Sequence, residues 1–238
     1  MTFLVLPLSG NADHQIAPWA MWHARAMVLA WGFLIPLGVL AARFFKVLPR
    51  QAWPQVLDNK AWWHAHRTFQ WAGVGFMAVG LWLVWGQGGN TNTLAQVHAL
   101  AGWGVCGLGA LQIAVALARG SKGGPTDGSM RGDHYDMTPW RLMFERLHKG
   151  LGWLAVVASI GVILVGLVLA DAPRWMLGVL LLWWLALAAA FVRLQRAGRC
   201  IDTYQAIWGP DPQHPGNQLR PIGWGIRRPA VWQEREPT

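Results

Sequence analysis

Charged residues are scarce in this sequence. Asp, Glu, Lys and Arg make up 13% of its 238 residues, whereas hydrophobic residues make up 54%. A soluble domain carries about 25% charged residues, so an ordinary water-soluble protein is not expected. The apolar residues form long blocks of about 20 residues, the length of a helix that crosses a bilayer. Because backbone groups cannot remain unpaired in lipid, these blocks predict an all-α membrane protein.

Cysteines and acidic residues are also few. Cys106 lies inside an apolar block and Cys200 in the polar C-terminal segment, so a disulfide between them is not expected. No CxxCH motif occurs, which argues against covalently attached haem of the c type. The net charge is +9, but the basic residues fall between the apolar blocks, as in the loops of membrane proteins. A nucleic-acid partner is therefore not expected.

Five apolar blocks predict five transmembrane helices. They cover about residues 19–45, 62–85, 94–118, 147–170 and 175–194. Pro36 lies inside the first block and should kink that helix. Residues 1–196 are therefore expected to form a transmembrane domain. Residues 197–238 contain several Pro and Arg and lack apolar periodicity, so they are expected to form a polar cytoplasmic tail without a core of its own.

The distribution of Lys and Arg predicts the orientation in the membrane. Neither residue occurs before the first block or in the loop 86–93, between the second and third blocks. The segments after the first, third and fifth blocks are basic, and such segments collect on the cytoplasmic side. The sequence thus predicts a multi-pass protein of the cell inner membrane, with a periplasmic N-terminus and a cytoplasmic C-terminus.

Histidines at the beginnings of the blocks are the candidate functional residues. Three of the eight histidines, His14, His134 and His214, lie in polar segments where solvated side chains are expected. An ionisable residue inside a spanning helix is by default a functional candidate, although a single histidine often only bonds a backbone carbonyl. The five at block starts are His23, His64, His66, His98 and His148.

The predicted topology sorts four of these histidines into two pairs. His23 and His98 each lie about one turn into helices that begin on the outer side. His66 and His148 lie near the start of helices that begin on the inner side. Each pair joins alternate helices of a four-helix bundle, where cofactor ligands project inward.

Two facing imidazoles match the two axial positions of a haem iron. They would leave a zinc ion short of its usual four ligands. The sequence therefore predicts two non-covalent haem b groups, with His23 and His98 as metal ligands of one, and His66 and His148 as metal ligands of the other. Ligands one turn in from each face place the irons roughly 20 Å apart along the membrane normal, which suits transfer of electrons across the bilayer.

The residues around these histidines resemble the cytochrome b561 family, especially the membrane core that eukaryotes often join to a DOMON domain. The resemblance covers about residues 19–170, through four of the five blocks. Its motifs are His23-x7-Trp31-Gly32-x3-Pro36-x-Gly38, Trp62-Trp63-x2-His66-x3-Gln70, His98-x3-Gly102 followed by Leu111-Gln112, and His148-x3-Gly152.

The resemblance implies a four-helix core with two b haems, plus one additional C-terminal helix. It selects His66 rather than His64 as the ligand of the second helix. Family members carry electrons from a cytoplasmic donor, often ascorbate, to an outer acceptor such as a ferric chelate or monodehydroascorbate. The chain is expected to be a stand-alone bacterial member of the family. A transmembrane oxidoreductase activity of the ferric or monodehydroascorbate reductase kind, and ascorbate as the donor, are left open.

Basic residues beside the histidines are candidates for binding haem propionates or an anionic donor. Arg67 and Lys149 adjoin His66 and His148, and Arg25 is two residues from His23. Arg43 and Lys46 form the basic exit of the first block, where charges that only set the topology are the alternative.

Two other functions remain open at this point. The chain could be a haem-bearing membrane subunit that exchanges electrons between quinone and a separate redox partner protein. A transporter that uses the histidines for protons or metal is disfavoured, because repeated halves and broken helices are not evident. Whether the chain acts alone, as a homodimer or in a complex is not predicted.

Overall fold

The computed structural model describes residues 3–10, 16–87, 92–124 and 131–229. These residues form helices without β-strands, as the composition predicts. After a 3₁₀ turn at Phe3–Val5 the helices are α1 (Pro18–Phe44), α2 (Ala61–Val84), α3 (Thr93–Leu117), α4 (Asp133–Asp136), α5 (Pro139–Leu169), α6 (Arg174–Arg196), α7 (Thr203–Trp208) and α8 (Pro215–Gln218).

Four helices in the described part of the chain, α1, α3, α5 and α6, are long and apolar enough to cross a membrane. This confirms an all-α, multi-pass membrane protein, but with four such helices rather than the predicted five. Helix α2 has 24 residues and is long enough, yet it is not among the four. His64, His66 and Arg67 lie in its first two turns and lower its mean hydropathy.

The long helices form two antiparallel hairpins. Helix α1 packs along α2, and α3 packs along α5. Glycines allow close approach in the first hairpin, since a Cβ on Gly73 would lie 2.9 Å from Cγ1 of Ile35. The main contact between the hairpins is made by the middle of α1, where Ala30 and Trp31 belong to the buried core.

The middle of α1 is a π-helical segment, Val28–Leu34, in which the Ile35 N–H bonds the carbonyl of Ala30. Pro36 follows directly and has no N–H to offer the carbonyl of Gly32. Trp183 of α6 replaces it, donating from Nε1 to the Gly32 oxygen at 2.9 Å. The irregularity predicted at Pro36 therefore begins two turns earlier and is stabilised by α6.

Residues 197–229, which were expected to form a polar tail, are packed against the rest of the chain. Tyr204 is 2% exposed and Ile207 3% exposed. Ile201 and Ala206 form a small cluster with Val47 from the segment that follows α1. We call residues 199–228 the cap, because they cover the end of the bundle where α1 ends and α2 begins.

Two charged groups hold the cap together. Asp202 accepts a hydrogen bond from the backbone N–H of Tyr204 at 3.2 Å and thereby caps α7. Arg228 donates to the carboxylate of Asp202 and to the carbonyls of Asn217 and Gly216. The two ends of the cap are therefore tied to each other.

Candidate functional site

Two pairs of histidines face each other across the two hairpins. The rings of His23 on α1 and His98 on α3 have centroids 6.3 Å apart and planes at 83°. The rings of His66 on α2 and His148 on α5 have centroids 6.4 Å apart and planes at 80°. Each pair takes one histidine from each hairpin, in the combination that the sequence predicted.

Three of the four imidazoles are fixed by backbone carbonyls of the neighbouring antiparallel helix. A carbonyl can only accept a hydrogen bond, so Nδ1 of each ring carries the proton and Nε2 keeps a free lone pair. This tautomer suits a metal ligand. The bonds join Nδ1 of His23 to Gly80 O at 2.9 Å, Nδ1 of His66 to Gly38 O at 3.0 Å, and Nδ1 of His98 to Val162 O at 3.2 Å.

Glycines provide the space for this close approach. A Cβ on Gly38 would lie 2.5 Å from Nε2 of Gln70, which itself donates to the carbonyl of Ile35. A Cβ on Gly166 would lie 2.9 Å from Cε1 of His98. Either side chain would displace the groups around a histidine, so these positions require glycine for steric reasons.

The fourth imidazole, His148, differs from these three in that a side-chain amide lies against its Nδ1. Its Nδ1 lies 2.8 Å from the side-chain amide of Gln112 on α3. The sequence placed Gln112 in a family motif but gave it no role.

The four Nδ1 contacts follow nearly the same sequence spacing along their helices. In three helices the histidine and the residue that anchors the opposite histidine are 14 residues apart, whereas in α1 they are 15 apart. A π-helical turn accommodates one additional residue, so the segment Val28–Leu34 accounts for the difference. The four spacings are His66 to Gly80, His98 to Gln112, His148 to Val162 and, across the π-helical segment, His23 to Gly38.

These pairs do not form a zinc site of the usual kind. Among the described residues no group of three or more His, Cys, Asp or Glu side chains is close enough to hold a metal ion. Zinc in proteins takes three or four such ligands. Each pair offers two nitrogens on opposite sides of a gap.

Known proteins are similar in sequence to about two thirds of this chain. It is 26% identical over 159 residues to a cytochrome b561, DM13 and DOMON domain-containing protein of Arabidopsis thaliana, covering 67% of this chain and 16% of that protein. It is 29% identical over 159 residues to a cytochrome b561 and DOMON domain-containing protein of the same plant, covering 64% and 29%. It is 28% identical over 152 residues to ferric-chelate reductase 1 of Bos taurus, covering 63% and 22%.

The chain is thus similar in sequence, over about two thirds of its length, to cytochrome b561 domain-containing proteins and to a ferric-chelate reductase. It spans less than a third of the length of each of these relatives. No family model and no solved structure matches it.

The geometry of both pairs fits the haem that the similarity to cytochrome b561 domain-containing proteins implies. Two imidazoles that held one metal ion between them, each at a metal–nitrogen distance of about 2.0 Å, would have ring centroids about 6 Å apart. The observed separations are 6.3 and 6.4 Å. With Nδ1 held by an anchor on the helix behind it, each ring can direct Nε2 toward its partner.

The predicted basic residues differ in their availability. The guanidinium of Arg67 lies 5.8 Å from the ring centroid of Trp63, and that of Arg25 lies 4.7 Å from the ring of Trp22. Lys149 is already bonded, to the Glu145 carboxylate at 2.7 Å and the Ile222 carbonyl at 2.8 Å. Lys149 thus has less capacity for an anionic ligand than Arg67.

Arg119 is a basic residue that the sequence did not single out. Its guanidinium lies 4.5 Å from the ring of Trp63, the same ring that Arg67 contacts. Burial lowers the pKa of Arg119, and the positive charges of Arg141 and Arg67 lower it further. Three arginines therefore lie close together near His66, a concentration of positive charge that sequence positions so far apart did not reveal.

The cap surrounds a buried carboxylate one turn before His148. Glu145 is 3% exposed and accepts hydrogen bonds from Arg141 at 3.2 Å and from the hydroxyl of Tyr204 at 2.8 Å, besides its bond from Lys149. Arg43 and Lys46 are also engaged by this end of the chain, with the carbonyls of Trp224 and Ile201. Burial, followed by the charge of Lys149, lowers the pKa of Lys46 to about 8.

Two further histidines lie in this region. The sequence predicted solvated side chains for His134 and His214, but they are 5% and 4% exposed, so that prediction is wrong. His134 packs edge-on against Trp208 at 4.6 Å and His214 stacks on the same ring at 5.0 Å. The side chain of His64 is exposed. His14 lies outside the described residues.

Proposed function

We propose that the chain is a di-haem b-type cytochrome that carries electrons across the membrane. The observation that supports this most directly is the two facing histidine pairs, each with a ring separation suited to one haem iron. His23 and His98 would hold one haem, and His66 and His148 the other. When bound, haem supplies an iron that accepts and releases single electrons.

The chain's own residues prepare both sites. Backbone carbonyls hold the Nδ1 protons of three ligands and fix the ring orientations, which reduces the reorganisation needed on binding. His66 and Gly80, whose carbonyl contacts His23, are 14 residues apart on α2. The two sites therefore lie roughly 21 Å apart along that helix. The core between them, around Trp31 and Met77, is apolar and excludes water.

Helix α2 is proposed as the fifth span. His66 bonds the second half of α1, and Gly80 bonds the first half. Because α2 is thus tied to α1 at both ends, it must cross the bilayer wherever α1 crosses. The basic segments, which include Arg119 and Arg67, are placed in the cytoplasm by the positive-inside rule. The His66–His148 pair then lies toward the cytoplasm and the His23–His98 pair toward the periplasm.

The proposed donor is an anionic cytoplasmic reductant such as ascorbate, attracted by Arg67 and Arg119 beside His66. The proposed outer acceptor is a ferric chelate, as the name of the bovine relative suggests. A second candidate function is a membrane subunit that passes electrons between quinone and a partner protein. It is favoured by the cap, since Lys149 is already occupied on the side where a small anionic donor would approach.

The test is the haem content of the purified full-length chain with a reductive titration. Two b-type haems per chain are expected, and one in His98→Ala or His148→Ala, with the other site at least partly occupied. His64→Ala is the matched control and should retain both. A chain without a b-type spectrum, or unchanged haem content in both variants, would refute the proposal. Two haems that ascorbate cannot reduce would favour the quinone-linked subunit.

A further inference from the structure

The His66–His148 site differs from the other site in one anchor. His23, His98 and His66 donate from Nδ1 to backbone carbonyls, whose orientation is fixed by their helices. His148 meets the amide of Gln112, whose oxygen and nitrogen can exchange places by rotation.

One orientation of the amide satisfies all its neighbours. The Gln112 nitrogen then donates to the carbonyl of His148 at 3.0 Å and to Nδ1 of His148 at 2.8 Å, while its oxygen accepts from the N–H of Gly152 at 3.2 Å. In this arrangement Nδ1 is an acceptor, so a neutral imidazole carries its proton on Nε2. That tautomer cannot coordinate a metal through Nε2.

The reverse orientation permits coordination but has a cost. The amide oxygen then accepts from Nδ1–H at the same 2.8 Å, and Nε2 is free. The oxygen now also faces the His148 carbonyl oxygen at 3.0 Å, and the amide nitrogen faces the Gly152 nitrogen at 3.2 Å. Both contacts bring like groups together, which weakens the amide as an acceptor for His148.

We propose that Gln112 is a positioning residue that makes His148 a weaker ligand than the three carbonyl-anchored histidines and so raises the reduction potential of the His66–His148 centre. This rests on the proposed haem function. A hydrogen bond from Nδ1–H to a strong acceptor increases the basicity of a ligating imidazole. A more basic ligand stabilises the oxidised iron, so a weakened acceptor at His148 favours the reduced state.

Two substitutions of Gln112 should act in opposite directions. Gln112→Glu places an acceptor oxygen at both amide positions, satisfies Gly152 and strengthens the bond from Nδ1–H, so the potential falls. Gln112→Leu removes the acceptor, so the potential rises. Changes in outer-shell partners alter metal affinity about tenfold or more, and a tenfold change in the ratio of affinities for oxidised and reduced iron is about 59 mV for one electron.

The experiment is a reductive titration of the purified wild-type chain and both variants, with each haem followed optically. Opposite shifts confined to one centre, with the His23–His98 centre unmoved, are expected. Leu111 supplies a neighbouring control, because it precedes Gln112 on α3 but its side chain is 44% exposed. Leu111→Ala should leave both potentials unchanged.

The outcomes separate this inference from the proposed function. A wild-type chain without haem would overturn both. Two haems whose potentials do not move, move in the same direction in both variants, or move equally at both centres would overturn only the role of Gln112. If Gln112→Leu does not retain the haem at His66–His148, Gln112→Glu alone tests the role of Gln112. A lower potential at that centre would support the role, and an unchanged or higher potential would overturn it.

Discussion

The two ends of the bundle carry equivalent histidine pairs in different surroundings. Ring separations of 6.3 and 6.4 Å show that the two histidine pairs are similarly spaced at both ends. The His66–His148 end is covered by the cap and has a buried carboxylate one turn before a histidine, whereas at the His23–His98 end the described residues 3–10 bond the backbone of Ala172 and the side chain of Asp171. The 14- or 15-residue spacing between each histidine and the residue that contacts the opposite histidine is thus shared by both ends, whereas the surroundings of the two pairs differ.

The largest effect on haem content is expected from a change in the spacing between a histidine and the residue on the same helix that contacts the opposite histidine. Deleting Val79, an exposed residue of α2, changes the spacing from His66 to Gly80 and rotates one anchor away from its histidine. Deleting exposed Leu29 from the π-helical segment should instead produce a continuous α-helix with the 14-residue spacing of the other helices. We expect the Val79 deletion to lose at least one haem and the Leu29 deletion to retain both.

Haem content per chain after purification is the measurement for this pair of deletions. Equal loss in both would show that the π-helical segment does more than accommodate an additional residue, for example through the bond from Trp183 to Gly32. Retention of both haems after deletion of Val79 would contradict the role of this spacing.

The histidine pairs were predictable from the sequence, whereas their surroundings were not. Helical periodicity and alternating topology suffice to pair His23 with His98 because each lies about one turn into a helix that begins at the same end of the bundle. Pro36 indicated an irregular helix but not the π-helical turn before it, since that turn depends on packing against Trp183. The role of Gln112 depends on an angle about α3 that a motif does not give.

The cap was missed for a different physical reason. Its buried residue Tyr204 and the neighbouring His134 come from polar segments without apolar periodicity, and Tyr204 is buried together with its hydrogen-bond partner Glu145. Composition alone predicts solvation for such segments. A signal was present in the run Tyr204 to Trp208, which places two aromatic residues one turn apart in a supposed tail.

Removing the carboxylate of Glu145 should make the His66–His148 end of the bundle more like the His23–His98 end, because it weakens the attachment of the cap. Glu145→Ala leaves Arg141 and Lys149 without their shared partner, and loss of one member of a buried ion cluster costs about 3 kcal/mol. The cap should detach before the bundle unfolds. Limited proteolysis should show early cleavage within residues 199–228, together with a lower temperature for haem release from the His66–His148 site.

Tyr204→Phe is the graded companion of this variant, because it removes only the 2.8 Å hydrogen bond to Glu145. Its cost should be about 1 to 2 kcal/mol. If neither variant changes cleavage or haem release, Glu145 does not hold the cap on the bundle.

The smallest of the expected effects is a loosening of the cap at acidic pH. Burial lowers the pKa of His134 well below its usual range, with the positive charge of Arg141 acting in the same direction, and burial also lowers the pKa of His214. Each histidine binds fewer protons in the folded state than in the unfolded state. Its contribution to the free energy of unfolding is therefore complete above about pH 6.5, the ordinary pKa of histidine, and is lost as the pH falls below that value. The loss is at most about 1.4 kcal/mol per pH unit for each histidine.

Hydrogen exchange at pH 7.5 and pH 5.5, corrected for the intrinsic rates, measures this loss. Protection should fall in residues 199–209 and remain in the helices around His23 and His98, since the cap covers only the opposite end. His134→Gln keeps a polar side chain that does not titrate and should reduce the pH dependence of protection. An equal loss at both ends of the bundle would mean that acid acts on the whole fold rather than on the cap.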